Sequence, residues 1–215
     1  MTYQFIFFDL DGTLLNTLDD LRDAINTVLV RHHMPEITSA QTASFLGNGA
    51  KHLVHCAVPA GTEETEETII LAEYRQYYQE HCMDRTAPYE GIPEMLARLK
   101  AAGYVMAVVS NKPDGAVKEL NRKFFQEYMF TAIGESEGIR RKPAPDTVLE
   151  AMRQAKAGQN NSVYIGDSEV DIQTAQNAGL PCISVSWGFR SAAELKAAGA
   201  ECIADTPEAL GELLL

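Results

Sequence analysis

Positive charge is scarce in this 215-residue chain. Eighteen lysines and arginines stand against thirty aspartates and glutamates, a formal net charge of −12. A surface of that sign repels nucleic acid and anionic lipid, so neither is expected as a partner. To bind an anion, such a chain must concentrate positive charge locally or recruit a metal. Cysteine is sparse too. Cys56, Cys82, Cys182 and Cys202 are scattered and none forms a C-x-x-C pair. That argues against a disulfide framework or a zinc site and points to reduced thiols in a cytoplasmic protein. No apolar run approaches the ~20 residues of a membrane span. The start, Met1-Thr2-Tyr3-Gln4-Phe5, has no basic stretch, so no signal peptide is expected. There is no internal repeat and no low-complexity tract. The hydrophobic share of 46% fits an ordinary globular protein.

What is present is an alternation of short apolar runs and helical patterns. Phe5-Ile6-Phe7-Phe8 reads as a buried strand, followed by similar runs at Tyr104 to Val109, Phe130 to Ile133, Val163 to Ile165 and Cys182 to Val185. Runs of this kind suit a parallel sheet covered on both faces. Helices are expected between them, opening near Ile92-Pro93, Pro113, Pro145 and Glu169, with Gly103 and Gly179 at closing positions. The expected fold is therefore α/β, a doubly wound parallel-sheet core of Rossmann-like type. One interval breaks the rhythm. Nearly a hundred residues separate the first strand from the second, whereas a βαβ unit needs only about 30. That stretch is mostly helix-patterned, with Leu18, Leu21, Ile25, Val28 and Leu29 on one face. Thr17-x-x-Asp20 resembles a capping box. Residues 16–88 are expected to form an inserted all-helical cap, leaving 1–15 and 89–215 as the core. An insertion after the first strand leaves the core at the carboxyl edge of the sheet and suits a lid.

Chemistry-bearing residues gather at the strand ends. In Asp9-Leu10-Asp11-Gly12-Thr13 the two carboxylates are two residues apart and can face one site. Their mutual repulsion calls for a divalent cation or a shared proton. Mg²⁺ suits an all-oxygen set of carboxylates and phosphate. Gly166-Asp167-Ser168-Glu169-Val170-Asp171 crowds three acids into five residues at a strand end and helix start. An N-cap explains one acid there, not three. Ser110-Asn111-Lys112-Pro113 offers a hydroxyl, an amide and backbone N–H groups for a phosphoryl oxygen. Lys142, followed by Pro143, can balance negative charge. Any one of these segments also reads as an ordinary turn or cap. Together they supply a nucleophile, an acid/base, a metal site, phosphate donors and a countercharge, the set that phosphoryl transfer through a carboxylate requires.

In these four segments the sequence resembles the haloacid dehalogenase superfamily, across essentially the whole chain. Within it, Gly47-Asn48-Gly49, Ser110-Asn111-Lys112-Pro113 and Trp187-Gly188-Phe189-Arg190 look most like phosphoglycolate phosphatases, as do Ala198-Gly199-Ala200 and Asp205-Thr206-Pro207. The resemblance implies that Asp9 attacks phosphorus and that Asp11 protonates the leaving alcohol, then activates water. It implies Mg²⁺ held by Asp9, the Asp11 carbonyl, Asp167 and Asp171, the last directly or through water. Ser110 and Lys142 would bind the phosphoryl group, with Thr13 and Asn111 assisting. Gly47, Asn48, Gly49 and Lys51 would meet the substrate from the cap, and Arg22 and Arg190 are further candidates for a carboxylate. The substrate is expected to be a small phosphorylated metabolite such as phosphoglycolate. Pyrophosphate, sugar phosphates and phosphomutase chemistry are alternatives, as is a non-catalytic binding protein on the same fold. Asp11 argues against a dehalogenase, whose halide leaves without a proton, and Thr13 argues against a phosphomutase. Whether the chain is a monomer or a homodimer stays open.

Overall fold

The computed structural model describes residues 3–215. The chain begins with β1 (Phe5–Phe8), buried at all four positions. A short β2 (Leu15–Asn16) leads into helices α1 (Leu18–Arg31), α2 (Ser39–Phe45), α3 (Ala50–Ala57) and α4 (Glu64–His81), and β3 (Ala87–Pro88) follows. Next come α5 (Ile92–Ala101), β4 (Val105–Pro113), α6 (Asp114–Phe124), β5 (Met129–Glu135) and α7 (Asp146–Ala155). The chain ends with β6 (Ser162–Gly166), α8 (Glu169–Ala178), β7 (Cys182–Val185), α9 (Ala192–Ala197), β8 (Ile203–Ala204) and α10 (Pro207–Leu214). Two compact units result: Met1–Leu15 with Pro88–Leu215, and Asn16–Ala87.

The first unit is the doubly wound α/β core expected from the alternating runs. Its six-stranded sheet has the order β5-β4-β1-β6-β7-β8, and every pairing is parallel. β1 lies at the centre, with Phe5 opposite Val105 of β4 on one side and Ser162 of β6 on the other. From β1 the sheet grows outward through β4 to β5, then resumes on the opposite side at β6. The strand order reverses there, and ligand crevices form outside carboxyl ends at such a reversal. Phe7, Val109, Ile133, Tyr164, Val148, Ala151 and Ala175 belong to one buried cluster that joins strands to helices. Burying such side chains supplies the main driving force for the fold.

Three details differ from the sequence expectation. β4 runs on through Ser110, Asn111 and Lys112 to Pro113, so α6 opens at Asp114 and Pro113 is its cap. The cause is a register shift: Val109 pairs with Ile133 and Pro113 with Glu135, so four steps along β4 match two along β5. An insertion of this type bends a strand and re-aims its side chains. The two-residue β8 is too short to leave an apolar run. Finally, Thr17 caps α1 without a side-chain hydrogen bond. Asp20 is instead buried, and its carboxylate accepts from the N–H groups of Arg85 (2.9 Å) and Thr86 (2.8 Å). Two backbone donors satisfy a buried carboxylate better than one cap contact does.

The second unit is helical. Leu21, Ile25, Val28 and Leu29 of α1 are buried, as are Leu53 and Val54 of α3. On α4, Ile70, Tyr74 and Tyr78 are buried, and the two tyrosine rings stack at 5.8 Å. The acidic first turn of α4, with Glu64, Glu66 and Glu67, complements the positive end of the helix dipole.

Candidate active site

The β1–β6 ladder continues one residue beyond Phe8, because the Asp9 N–H donates to the Ile165 carbonyl at 2.8 Å. This places the Asp9 carboxylate at the carboxyl end of the central strand, beside the Gly166–Asp171 segment. Lys142 reaches the same spot from the loop before α7. Its Nζ donates to Asp9 Oδ1 (2.7 Å), Asp171 Oδ1 (2.7 Å) and the Tyr164 hydroxyl (3.1 Å). Asp171 also accepts from the Tyr164 hydroxyl (2.8 Å), the Ser168 hydroxyl (2.6 Å) and the Ser168 N–H (3.1 Å). Asn111 fixes the backbone of the lysine. Lys142 N–H donates to Asn111 Oδ1 (2.7 Å) and Asn111 Nδ2 donates to the Lys142 carbonyl (3.0 Å). The neighbouring Ser110 hydroxyl accepts the Lys112 N–H at 3.2 Å.

Asp167 is held on the other side. It accepts from the Thr13 hydroxyl at 3.2 Å and from the Phe189 N–H at 2.7 Å. Trp187 closes the loop by donating from Nε1 to the Thr13 carbonyl at 3.0 Å. Two glycines make this possible. Gly12 has φ +82°, and a Cβ there would stand 2.3 Å from Asp167 Oδ2. A Cβ on Gly188 would stand 2.3 Å from the Gly12 carbonyl and 2.5 Å from Asp167. No side chain fits either gap.

One lysine sits among three carboxylates, so negative charge is in surplus. Each of Asp9, Asp167 and Asp171 offers one oxygen within 4.8 Å of the others, and all three are buried. Burial pushes the Asp9 carboxyl well above the usual range; Lys142 opposes the shift, and Asp171 and Asp167 add to it. Burial, reinforced by Asp171, pushes Asp167 up to about 7. Burial disfavours the Lys142 ammonium, but Asp171 and Asp9 outweigh it and raise its pKa. A hard divalent cation resolves the surplus, and an all-oxygen donor set of this kind fits Mg²⁺. Asp9, Asp167 and Asp171 are the residues that would hold it.

The structure thus brings Asp9, Asp11, Thr13, Ser110, Asn111, Lys142, Asp167 and Asp171 to one edge of the core sheet. The amide of Asn111 is engaged with the Lys142 backbone, and the hydroxyl of Thr13 with Asp167. Gly47, Asn48 and Gly49 belong to the helical unit, where they form the bend between α2 and α3, and Lys51 is exposed in the first turn of α3. Arg190, a candidate for the substrate carboxylate, is nearly buried, and its guanidinium grips the Glu169 carboxylate at 2.9 and 3.2 Å. Arg22 meets Asp19, Asp23 and Ser39 within the helical unit. Sequence reasoning missed two groups. Tyr164 stands out only as a lone hydroxyl inside an apolar run. Lys112 lies two residues beyond Ser110, the spacing that shares a strand face, and its Nζ is 3.1 Å from Asp11 Oδ1.

Known proteins resemble this chain in sequence and in fold. A family model described as haloacid dehalogenase-like hydrolase matches residues 6–185. The phosphoglycolate phosphatase of Rhodobacter capsulatus is 35% identical over 188 residues, covering 86% of this chain and 85% of that one. The N-acetylmuramic acid 6-phosphate phosphatase of Pseudomonas aeruginosa is 29% identical over 216 residues, covering 100% of this chain and 96% of its own length. Among solved structures, a Lactobacillus delbrueckii subsp. bulgaricus protein provisionally named a phosphoglycolate phosphatase superposes with a TM-score of 0.96. It is 36% identical, over 100% of this chain and 99% of that one. With the family match spanning five of the six core strands, and a 35%-identical relative aligned over most of the chain, the protein belongs to the haloacid dehalogenase-like hydrolases.

Proposed function

We propose that this hydrolase is a phosphatase that releases phosphate from small phosphate monoesters, with Mg²⁺ as cofactor and Asp9 as nucleophile. The observation that carries the proposal is the buried Asp9–Lys142–Asp171 chain at the carboxyl end of the central strand, with Asp167 alongside. A carboxylate held there by an ammonium stays oriented for in-line attack. In the first half-reaction an Asp9 oxygen bonds to phosphorus and the ester P–O bond breaks. The freed electron pair stays on the leaving oxygen, which takes a proton from Asp11. In the second, water bonds to phosphorus and gives a proton back to Asp11 as the Asp9–phosphorus bond breaks. When bound, Mg²⁺ supplies charge neutralisation for the phosphoryl oxygens. Lys142 and Ser110 are assigned the binding of the phosphoryl group, the one by its charge and the other by its hydroxyl.

For substrate, phosphoglycolate is favoured by the names of several relatives. N-acetylmuramic acid 6-phosphate is the second reading, because the relative acting on it matches the whole chain. We assign substrate selection to the helical unit, with Gly47, Asn48, Gly49 and Lys51 as the residues that would contact the leaving group. Free thiols at all four cysteines suit a cytoplasmic setting.

Phosphate release from a panel of phosphoglycolate, N-acetylmuramic acid 6-phosphate, sugar phosphates, pyrophosphate and p-nitrophenyl phosphate, with Mg²⁺ and with EDTA, tests the assignment. Mg²⁺-dependent release with one preferred ester is expected, and Asp9→Asn is expected to abolish it. Turnover that persists in purified, folded Asp9→Asn would remove Asp9 from the nucleophile's role. Exchange of phosphate between sugar positions without net release would make the protein a phosphomutase.

A further inference from the structure

The phosphatase steps call on one lysine, Lys142, and the structure buries a second. The Lys112 side chain is only 3% exposed, and its ammonium lies 3.1 Å from Asp11 Oδ1. A buried ammonium costs several kcal/mol unless a partner compensates it, so its position is specified by what it faces. The two lysines divide the first aspartate motif between them: Lys142 holds Asp9, and Lys112 faces Asp11.

The placement of Lys112 follows from the register shift in β4. Two extra residues between Val109 and Pro113 carry Ser110, Asn111 and Lys112 beyond their regular partners in β5. The backbone on both sides is then pinned. Lys112 N–H donates to the Ser110 hydroxyl, and the Asp114 carboxylate accepts the Gly134 N–H at 3.1 Å. With its main chain fixed and its side chain buried, Lys112 sets its ammonium in ion-pair contact with Asp11 Oδ1. Asp11 itself is more open, with 21% of its side chain exposed, so without a partner it could turn among rotamers.

We propose that Lys112 is the positioning residue for Asp11. It holds the carboxyl group in the rotamer from which the leaving oxygen receives its proton. The proposal rests on the phosphatase assignment above and adds to it a dependence on the leaving group. When the P–O bond breaks, an alkoxide needs the proton that Asp11 donates. A p-nitrophenolate holds the electron pair by resonance and leaves without it. A residue that positions the acid therefore matters for alkyl esters and hardly at all for p-nitrophenyl phosphate. A residue that binds the phosphoryl group, or merely supports the fold, affects both esters alike.

The test is kcat/KM of Lys112→Met on the best alkyl phosphate of the panel and on p-nitrophenyl phosphate. This ratio reports events up to loss of the leaving group and is blind to the later attack by water. The alkyl ester is expected to lose about 10²-fold, in line with the effect of a misplaced acid, and p-nitrophenyl phosphate under about 3-fold. In an Asp11→Asn background, Lys112→Met is expected to cost the alkyl ester nothing more, because the group it positions is gone. Should the Met variant fail to fold, Lys112→Gln carries the same comparison. Equal losses on both esters, or a full loss that persists in the Asp11→Asn background, would overturn the proposal while leaving the phosphatase assignment intact. A wild-type protein that releases phosphate from neither ester would end the assignment, and the proposal with it.

Discussion

The core unit pairs charges in its interior as well as at its surface, whereas the helical unit keeps its ion pairs where water reaches them. In the core, Asp9, Lys112, Lys142, Asp167 and Asp171 are all buried and engage partners across the sheet edge. In the helical unit, Arg22 meets Asp19 and Asp23, and Arg85 pairs with Asp23, where water reaches both members. Exposed pairs of this type contribute about 0–1 kcal/mol and are cheap to place anywhere. Buried charges are expensive and persist only where something uses or compensates them. Charge tolerated in the interior is therefore a better guide to chemistry than charge abundance, in a chain of net charge −12. Asp20 is the exception in the helical unit, buried yet engaged with backbone N–H groups alone.

The largest effect should come from breaking the core arrangement. Lys142→Met leaves Asp9 and Asp171 buried without their cation. It is expected to lower kcat/KM by about 10³-fold and to destabilise the metal-free protein by about 3–5 kcal/mol in urea unfolding. A variant with wild-type stability would mean that the lysine does not compensate those acids. Next comes Asp20→Ala, which strands two N–H groups in the helical unit. A loss of about 1–3 kcal/mol is expected, with the panel's order of substrates unchanged. A reordered panel would give Asp20 a part in selection.

The carboxylate surplus makes a smaller, pH-dependent prediction. Folded Asp167 keeps its proton up to about 7, above an unfolded carboxylate. In metal-free protein its favourable contribution is thus present in acid and is lost as pH rises toward neutrality. Mg²⁺ should relieve that loss, raising the melting temperature more near about pH 8 than near about pH 5.5, and its affinity should fall roughly tenfold per pH unit in acid. A shift of equal size at both values would contradict the surplus. The smallest effect belongs to Arg22→Ala, whose partners are at the surface. A change under about 1 kcal/mol is expected, shrinking further in high salt.

Much of the core was legible because local signals carry it. Apolar runs mark β1, β6 and β7 directly, and the acids that follow β1 and β6 fall at strand ends by simple counting. The extension of β4 was not legible, since a register shift depends on β5, which lies elsewhere in the chain. The Lys112–Asp11 approach went unseen for the same reason. The contacts of Phe189 and Trp187 with Asp167 and Thr13 join segments over 170 residues apart in one case and 22 in the other, beyond any local pattern. Thr17-x-x-Asp20 shows the opposite failure. The local pattern was sound, but two distant N–H groups made a better offer to Asp20.

The central position of β1 also has a consequence for how the protein is made. Its partners Val105 and Ser162 lie 100 and 157 residues downstream of Phe5. At the usual pace of about 5–20 residues per second, a ribosome needs about 5–20 s after making β1 to deliver even the nearer one. Throughout that interval Phe5-Ile6-Phe7-Phe8, apolar at every position, has no sheet to join. The helical unit, encoded between β1 and β4, has all its residues available first. The strand that leads into Asp9 is thus made well before both of its sheet neighbours, and its second edge cannot pair until Ser162 has followed.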